Sequence, residues 1–314
     1  MSGELVALKK VRMDRERDGI PQTALREMRL LRRSAHHPNI VRLRGVVSGA
    51  KPDSIFLVFD YAEHDLAQLL DAATAQRAPF PFSPAETKTL LQQLFGAVAF
   101  LHSRCVLHRD LKLSNLLYTN AGCLKLADFG LARSASPLGA AAGALTPKVV
   151  TLWYRAPELL LGGEYGSPID AWAAGCVAGE LLRREPLFPG RDEADVWSMI
   201  VALLGTPSDR IWPGWSRLPR AGSVAGGVPQ QSFNYIKRDF PDLSPAGVAL
   251  LNALLTFDPR KRMTLDEAAR HAWFLERPFP RPPDAMPRFP SSHAPPPPPP
   301  PQPDGTPRKR QRER

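Results

Sequence analysis

Cysteine is scarce in this sequence: Cys105, Cys123 and Cys176 are the only three in 314 residues, they lie far apart, and none forms a CxxC pair or has a His at finger spacing. That excludes a disulfide framework and a structural zinc site, and it fits a reducing compartment. Long hydrophobic runs are also lacking. The greasiest stretch, AWAAGCVAGELL, is bracketed by Asp170 and Glu180 and falls well short of the about 20 apolar residues a membrane span needs, so it reads as a buried helix with no membrane role. No signal-peptide apolar region follows Met1, and no internal repeat is found. General disorder is excluded as well, because 43% hydrophobic content with six Trp can bury one large core or two moderate ones.

Charge of one sign is in excess, at a net +10, but eight Lys or Arg against three Asp or Glu fall within residues 277–314 and account for +5 of it. The folded part is only mildly basic. Without an aromatic-interleaved patch, a solvated basic tail is the expectation, and no direct nucleic-acid partner.

The chain divides by pattern. Residues 1–61 read as strand, helix, strand, strand: LVALKKVRM alternates, TALREMRLLRR is helical with Leu25, Met28 and Leu31 on one side, and IVRLRGVV and SIFLVFDY are again strand-like. Residues 62–276 are mostly helical; TKTLLQQLFGAVAFLH places Leu90, Leu94, Val98 and Leu101 on one face. RSASPLGAAAGALTP (133–147) has almost no large apolar groups and reads as a mobile loop. Residues 277–314, with seven prolines from Pro295 to Pro301 and the ending PRKRQRER, are expected to be disordered, as polyproline II and coil. This is an α+β pattern.

The strings that carry chemistry follow in a fixed order. HRDLKLSN (His108–Asn115) comes first; a chance match to its six fixed letters is on the order of 10⁻⁵ from average residue usage. DFG (Asp128–Gly130) lies after two strand-like pieces about a turn, APE (Ala156–Glu158) closes the mobile loop, and Lys9 in VALKK and Glu27 in the first helix complete the set.

With these motifs, residues 4–276 resemble a eukaryotic protein kinase. The resemblance implies a bilobal fold with a truncated β-rich N-lobe (1–61), a larger α-helical C-lobe (62–276) and the Pro-rich tail (277–314), and it implies ATP and Mg²⁺. Phosphoryl transfer passes through a loose transition state, so such a protein positions the nucleotide, the metal and the acceptor hydroxyl and neutralises charge. By resemblance Asp110 is the catalytic-loop carboxylate that accepts the acceptor's proton, and Lys112 a point charge near the transferring phosphate. Asn115 and Asp128 offer oxygen ligands to Mg²⁺. Lys9 holds the α- and β-phosphates, and Glu27 pairs with it. Ala7 and Leu117 sandwich the adenine, Phe59 guards the rear of its pocket, the backbone of Asp60 and Ala62 bonds the base, and Asp65 reaches the ribose.

Within that family GIPQTALREMRLL is similar to the PSTAIRE or PITSLRE helix of cyclin-dependent kinases, and TPKVVTLWYRAPELLLG and PLFPGRDEADVWSMIVALLGTPS resemble their substrate platform and helical insert. The PITSLRE-like branch, linked with transcription and splicing, is the nearest. A cyclin is therefore expected on the PQTALRE helix, and acceptors are expected to be Ser or Thr followed by Pro, with Arg155 supporting the selecting segment. Glu158 and Arg262 resemble the pair that braces the platform. Thr146 stands where an activating kinase adds phosphate, with Arg26, Arg109 and Arg133 placed to bind it. The nucleus is the expected location, with the cytoplasm also open. The proline tail suits an SH3 or WW domain, and Thr306 in TPRKR is itself of the type such kinases modify.

The pattern breaks at one point. Kinases carry a Gly-rich loop on two strands ahead of the lysine strand, and the eight residues before Lys9 hold neither, which leaves an edge of the small sheet uncovered. A longer native N-terminus, a shorter isoform, and a catalytically weak cyclin-binding scaffold are the three readings. Retention of Lys9, Glu27, Asp110, Asn115 and Asp128 favours the first, with weak activity expected of the 314 residues alone.

Overall fold

The computed structural model describes residues 4–11, 20–50, 54–134 and 151–291. Thr146, the proline run and Thr306 lie outside them. Three antiparallel strands form the first layer: β1 (Val6–Lys10), β2 (Leu43–Ser48) and β3 (Ile55–Asp60), in the order β1-β3-β2. Val6 pairs with Asp60 and Lys9 with Leu57, a register that turns Lys9 toward the helix packed on the sheet. Among the described residues β1 has a strand neighbour on one side only, and Leu5 and Leu8 are exposed beside it.

The helix is α1 (Gln22–Ser34), entered directly after Pro21. Its buried face is Ala24, Glu27, Leu30, Leu31 and Ser34, so the helix is rotated from the face the sequence suggested: Leu31 is inside, but Leu25 and Met28 are only partly buried. The rotation follows from Glu27, which is drawn inward to a lysine partner that apolar periodicity does not reveal.

Below the sheet lie β4 (His64–Asp65), α2 (Leu66–Ala75) and α3 (Pro84–Ser103). Asp65 caps α2 by accepting from the Gln68 amide, and a capping box of Ser83 and Glu86, with Pro84 in the first turn, starts α3. Leu90, Leu94, Val98 and Leu101 of α3 are fully buried, as the pattern predicts. Each contributes about 1.5–3 kcal/mol by burial. The short strands β5 (Val106–Leu107), β6 (Leu116–Tyr118), β7 (Leu124–Leu126) and β8 (Arg133–Ser134) frame the loops between them. Then come α4 (Pro157–Leu160), α5 (Pro168–Arg183), α6 (Glu193–Leu204), α7 (Ala221–Val224), α8 (Ile236–Asp239), α9 (Pro245–Leu254) and α10 (Leu265–Ala269). α5 runs through the middle of this layer, with Trp172 stacked on Phe188 and tilted against Phe257.

Residues 277–291, expected to be the start of a disordered tail, instead form an extended strap across the helical lobe. Its carbonyls are taken up one after another: Thr89 Oγ1 donates to Arg281 O at 2.7 Å, Tyr118 Oη to Pro287 O at 2.6 Å and Asn120 Nδ2 to Phe289 O at 2.9 Å. Met286 is buried, and the Phe289 ring sits edge-on against His64, Phe82 and Tyr118. Prolines lack a donor but keep their acceptors, so a Pro-rich segment can be held by donors reaching out from the lobe. Gly122 makes room for it, since at φ +77° an added Cβ would lie 1.8 Å from the Pro283 carbonyl oxygen.

Candidate active site

A cavity of about 380 Å³ opens between the sheet and the helical lobe. Ala7, Lys9, Phe59, Asp60, Ala62, Leu117 and Asp128, all named from the sequence, line it, together with Val41, Tyr61 and Ala127, which were not. Asp65 lies outside it, in an adjoining groove, with its carboxylate committed to the cap of α2.

At the cavity's polar end the Lys9 ammonium is held 2.8 Å from Glu27 Oε1 and 2.8 Å from Asp128 Oδ1. Burial alone would lower the Lys9 pKa, but the hydrogen bonds and charges of Asp128 and Glu27 outweigh it and raise it. Burial would likewise raise Asp128, and the Lys9 hydrogen bond and charge hold it below the ordinary range instead. The cation is thereby fixed, and Asp128 stays an anion. Asp128 takes a left-handed backbone, φ +60°, as does Arg109 at +67°; strain of this kind costs on the order of 1 kcal/mol or more and persists only where packing enforces it. Here the Phe129 ring is buried edge-on against His108.

The loop carrying Asp110 hangs from α5. Asp170 Oδ2 accepts from the His108 amide at 2.9 Å and from His102 Nε2 at 2.9 Å, while Oδ1 accepts from the Arg109 amide at 2.8 Å. Burial pushes the Asp170 pKa up, but the hydrogen bonds from His102 and from the Arg109 amide outweigh it, so the carboxyl lies below its ordinary value. His108 donates from Nε2 to Ala127 O at 3.0 Å and accepts the Asp110 amide at Nδ1, 3.3 Å. That is the neutral tautomer, consistent with burial, which lowers its pKa.

Around Asp110, Asn115 Nδ2 donates to Asp110 O at 2.7 Å and Oδ2 at 3.0 Å, Lys112 Nζ lies 2.9 Å from Oδ2, and Thr151 Oγ1 lies 3.0 Å from Oδ1. With its amide nitrogen so engaged, Asn115 presents Oδ1, and Asp128 presents Oδ2; neither oxygen has a hydrogen-bond donor among the described residues. Two hard oxygens suit Mg²⁺, which takes few protein ligands and fills its remaining positions with water and phosphate.

Arg26, Arg109 and Arg133 gather on one side. Burial first, then the charges of Arg109 and Arg26, lower the Arg133 pKa, which marks the three as converging cations. Arg109 is tied to Leu131 O at 2.7 Å and Tyr165 Oη at 2.9 Å. Farther along, Arg262 grips Glu158 with two bonds of 2.7 and 2.9 Å, both residues buried, and Arg155 meets Glu193 at 2.6 Å, where Arg220 also binds.

Sequence reasoning missed Thr151, Asp170 and His102. Each acts on a loop 40 or more residues away along the chain, or through a residue that does, and no local motif announces them.

A protein-family profile described as "Protein kinase domain" matches residues 1–274. The chain is 51% identical over 288 residues to Cyclin-dependent kinase 10 of Rattus norvegicus, covering 91% of this chain and 77% of that protein. The figure is 50% for Cyclin-dependent kinase 10 of Homo sapiens, with the same coverage. Cyclin-dependent kinase G-2 of Oryza sativa subsp. indica is 48% identical over 300 residues, 92% of this chain and 40% of that protein.

Proposed function

The chain belongs to the protein kinase family and is a cyclin-dependent serine/threonine kinase, and from that premise we propose how its residues divide the work of moving the ATP γ-phosphate to Ser/Thr-Pro sites. The observation that carries the reading is the Lys9 ammonium fixed between Glu27 and Asp128 at the polar end of an otherwise apolar cavity. A flat base fits between Ala7 and Leu117, and the triphosphate then runs toward Lys9.

Asp110 takes the proton of the acceptor hydroxyl as its oxygen bonds to the γ-phosphorus and the bond to the ADP oxygen breaks. Lys112 places positive charge beside the transferring group, and Thr151 holds the Asp110 carboxylate in its rotamer. Asn115 and Asp128 would hold Mg²⁺, which would supply neutralisation of phosphate charge. The cyclin docks on α1, whose partly exposed Leu25 and Met28 give it an apolar face, and pressing α1 inward keeps Glu27 on Lys9. The arginine trio receives a phosphate on Thr146, added by an activating kinase. The basic C-terminal cluster supports a nuclear location. Retention of every charged group of the phosphate site supports catalysis over a scaffold role.

The test uses the full chain with its cyclin. Lys9→Met and Asp110→Asn are each expected to lower phosphorylation of a Ser-Pro peptide by about 10²–10⁴-fold, and a Ser-Ala peptide is expected to be a poor acceptor. Equal use of both peptides overturns the proline selectivity, and full activity of Asp110→Asn overturns the assigned base.

A further inference from the structure

We propose that exposed arginines on α1 and at the end of α3 form the electrostatic half of the cyclin interface, and that they select a cyclin whose facing surface is acidic. The inference deepens the proposed function, since it rests on the cyclin docking on α1.

Arg29, Arg32 and Arg33 are exposed, and their i, i+3, i+4 spacing puts them on one face of the helix. Leu25 and Met28, four residues before Arg29 and Arg32, share that face and are only partly buried. The basic surface continues past the end of α1. Arg104, just beyond α3, lies 3.8 Å from the centre of the Phe100 ring, and the His37 ring meets the same phenyl group at 4.8 Å. Burial first, then the charges of Arg104 and Lys125, lower the His37 pKa, so both cations lie close to that ring.

Acidic residues are missing from this surface. Between residues 22 and 50 the only Asp or Glu is Glu27, which is turned inward to Lys9, and between 93 and 107 there is none. Among the described residues Arg29, Arg32, Arg33, Arg104 and Lys125 make no ion pair. Other arginines of the molecule are neutralised locally, Arg44 by Glu4 and Asp60 and Arg270 by Asp266. Residues 12–19, outside the described structure, hold three Arg against three Asp or Glu and add no net charge.

A cation in the last turn suits the helix dipole, which accounts for Arg32 and Arg33. It does not account for Arg29, which repels both, or for Arg104 at the end of another helix. Unpaired cations beside an apolar stripe are complementary to a protein surface that offers carboxylates around apolar side chains. A nucleic acid fits less well, because Phe100 is already covered by Arg104 and His37 and offers no base a stacking face.

The test measures association and dissociation of the full chain with its cyclin at about 50 mM and about 300 mM salt, since screening separates steering from packing. A variant carrying Arg29→Glu, Arg32→Glu and Arg33→Glu is expected to associate about tenfold or more slowly at low salt, with a flattened salt dependence. Its dissociation rate should change by less than about threefold. Gln at the same three positions should give a smaller loss, and Arg104→Glu alone should also slow association. Lys in place of the Asp and Glu residues that face α1 on the cyclin should restore the rate of the triple-Glu chain.

An unchanged association rate and salt dependence in the triple-Glu chain, with binding lost in a Leu25→Glu chain that melts normally, overturns the acidic selection and leaves the cyclin on α1. Wild-type binding by Leu25→Glu as well overturns the docking on α1 itself. Tight binding of a single-stranded RNA oligonucleotide by the cyclin-bound complex, lost in the triple-Glu chain, also overturns the proposal, because the patch is then open in the complex and belongs to a nucleic acid.

Discussion

Thr151 Oγ1 lies 3.0 Å from Asp110 Oδ1 and 3.1 Å from Lys112 Nζ, so one hydroxyl holds both of the charged side chains proposed to work on the acceptor. Donating to the carboxylate and accepting from the ammonium, it fixes their separation. Thr151→Val keeps the shape and removes both bonds. A hydrogen bond to a charged group is worth about 1.5–3 kcal/mol, so kcat is expected to fall about tenfold to a hundredfold with little change in the KM for ATP. Thr151→Ser should retain most activity. Steady-state kinetics on a Ser-Pro peptide checks this, and an unchanged kcat for Thr151→Val refutes it.

The Glu158–Arg262 pair is a stability element. Arg262 also donates to Pro168 O at 2.8 Å, Phe257 O at 3.1 Å and Thr256 O at 2.9 Å, so its loss removes the charged donor from a buried carboxylate and from three carbonyls at once. Arg262→Ala is expected to cost about 3–5 kcal/mol and to lower Tm by on the order of 10 °C in a thermal melt. A Tm within 2 °C of wild type, about 1 kcal/mol or less, contradicts it.

Glu180 gives the fold a pH dependence. Burial pushes its pKa up to about 7, opposed by the hydrogen bond from Tyr154 Oη at 2.7 Å. With the folded pKa above the unfolded one, the folded state binds more protons across the interval, and stability falls as pH rises from about 4.5 to 7. The size is on the order of 3 kcal/mol between pH 4 and pH 8. Urea titrations of wild type and Glu180→Gln across this range should show the decline reduced in the variant. Parallel pH profiles would remove Glu180 as its source.

Gly122 is needed for the strap. Gly122→Ala forces a Cβ into the Pro283 carbonyl and strains a left-handed turn, so the strap should lift away. Trypsin is expected to cut after Arg288, before Phe289, about tenfold faster, the equivalent of about 1.4 kcal/mol of local opening. Equal cleavage rates would mean that the strap tolerates the side chain.

The kinase chemistry was legible in the chain because phosphoryl transfer demands particular side chains at short range. Asp110, Lys112 and Asn115 lie within six residues, and Asp128 starts a three-letter string of its own. Likewise the apolar face of α3 was legible from its spacing, since Leu90, Leu94, Val98 and Leu101 all point at one core. The face of α1 was not, because a charged residue is the most important one buried there.

The sequence by itself determined the order of elements from local pattern and, through its resemblance to protein kinases, the candidate residues of the phosphate site and the lysine expected to answer to Glu27. Only the tertiary structure decided that Asp170 suspends the catalytic loop, that Thr151 bridges Asp110 and Lys112, and that residues 277–291 bind the lobe. Those depend on which donors and acceptors distant segments bring within about 3 Å of each other, and composition carries no record of that. A Pro-rich segment reads as coil because it has few donors and little apolar surface of its own. It is ordered here because Thr89, Tyr118 and Asn120 supply the donors and the aromatic cluster around Phe289 supplies the surface.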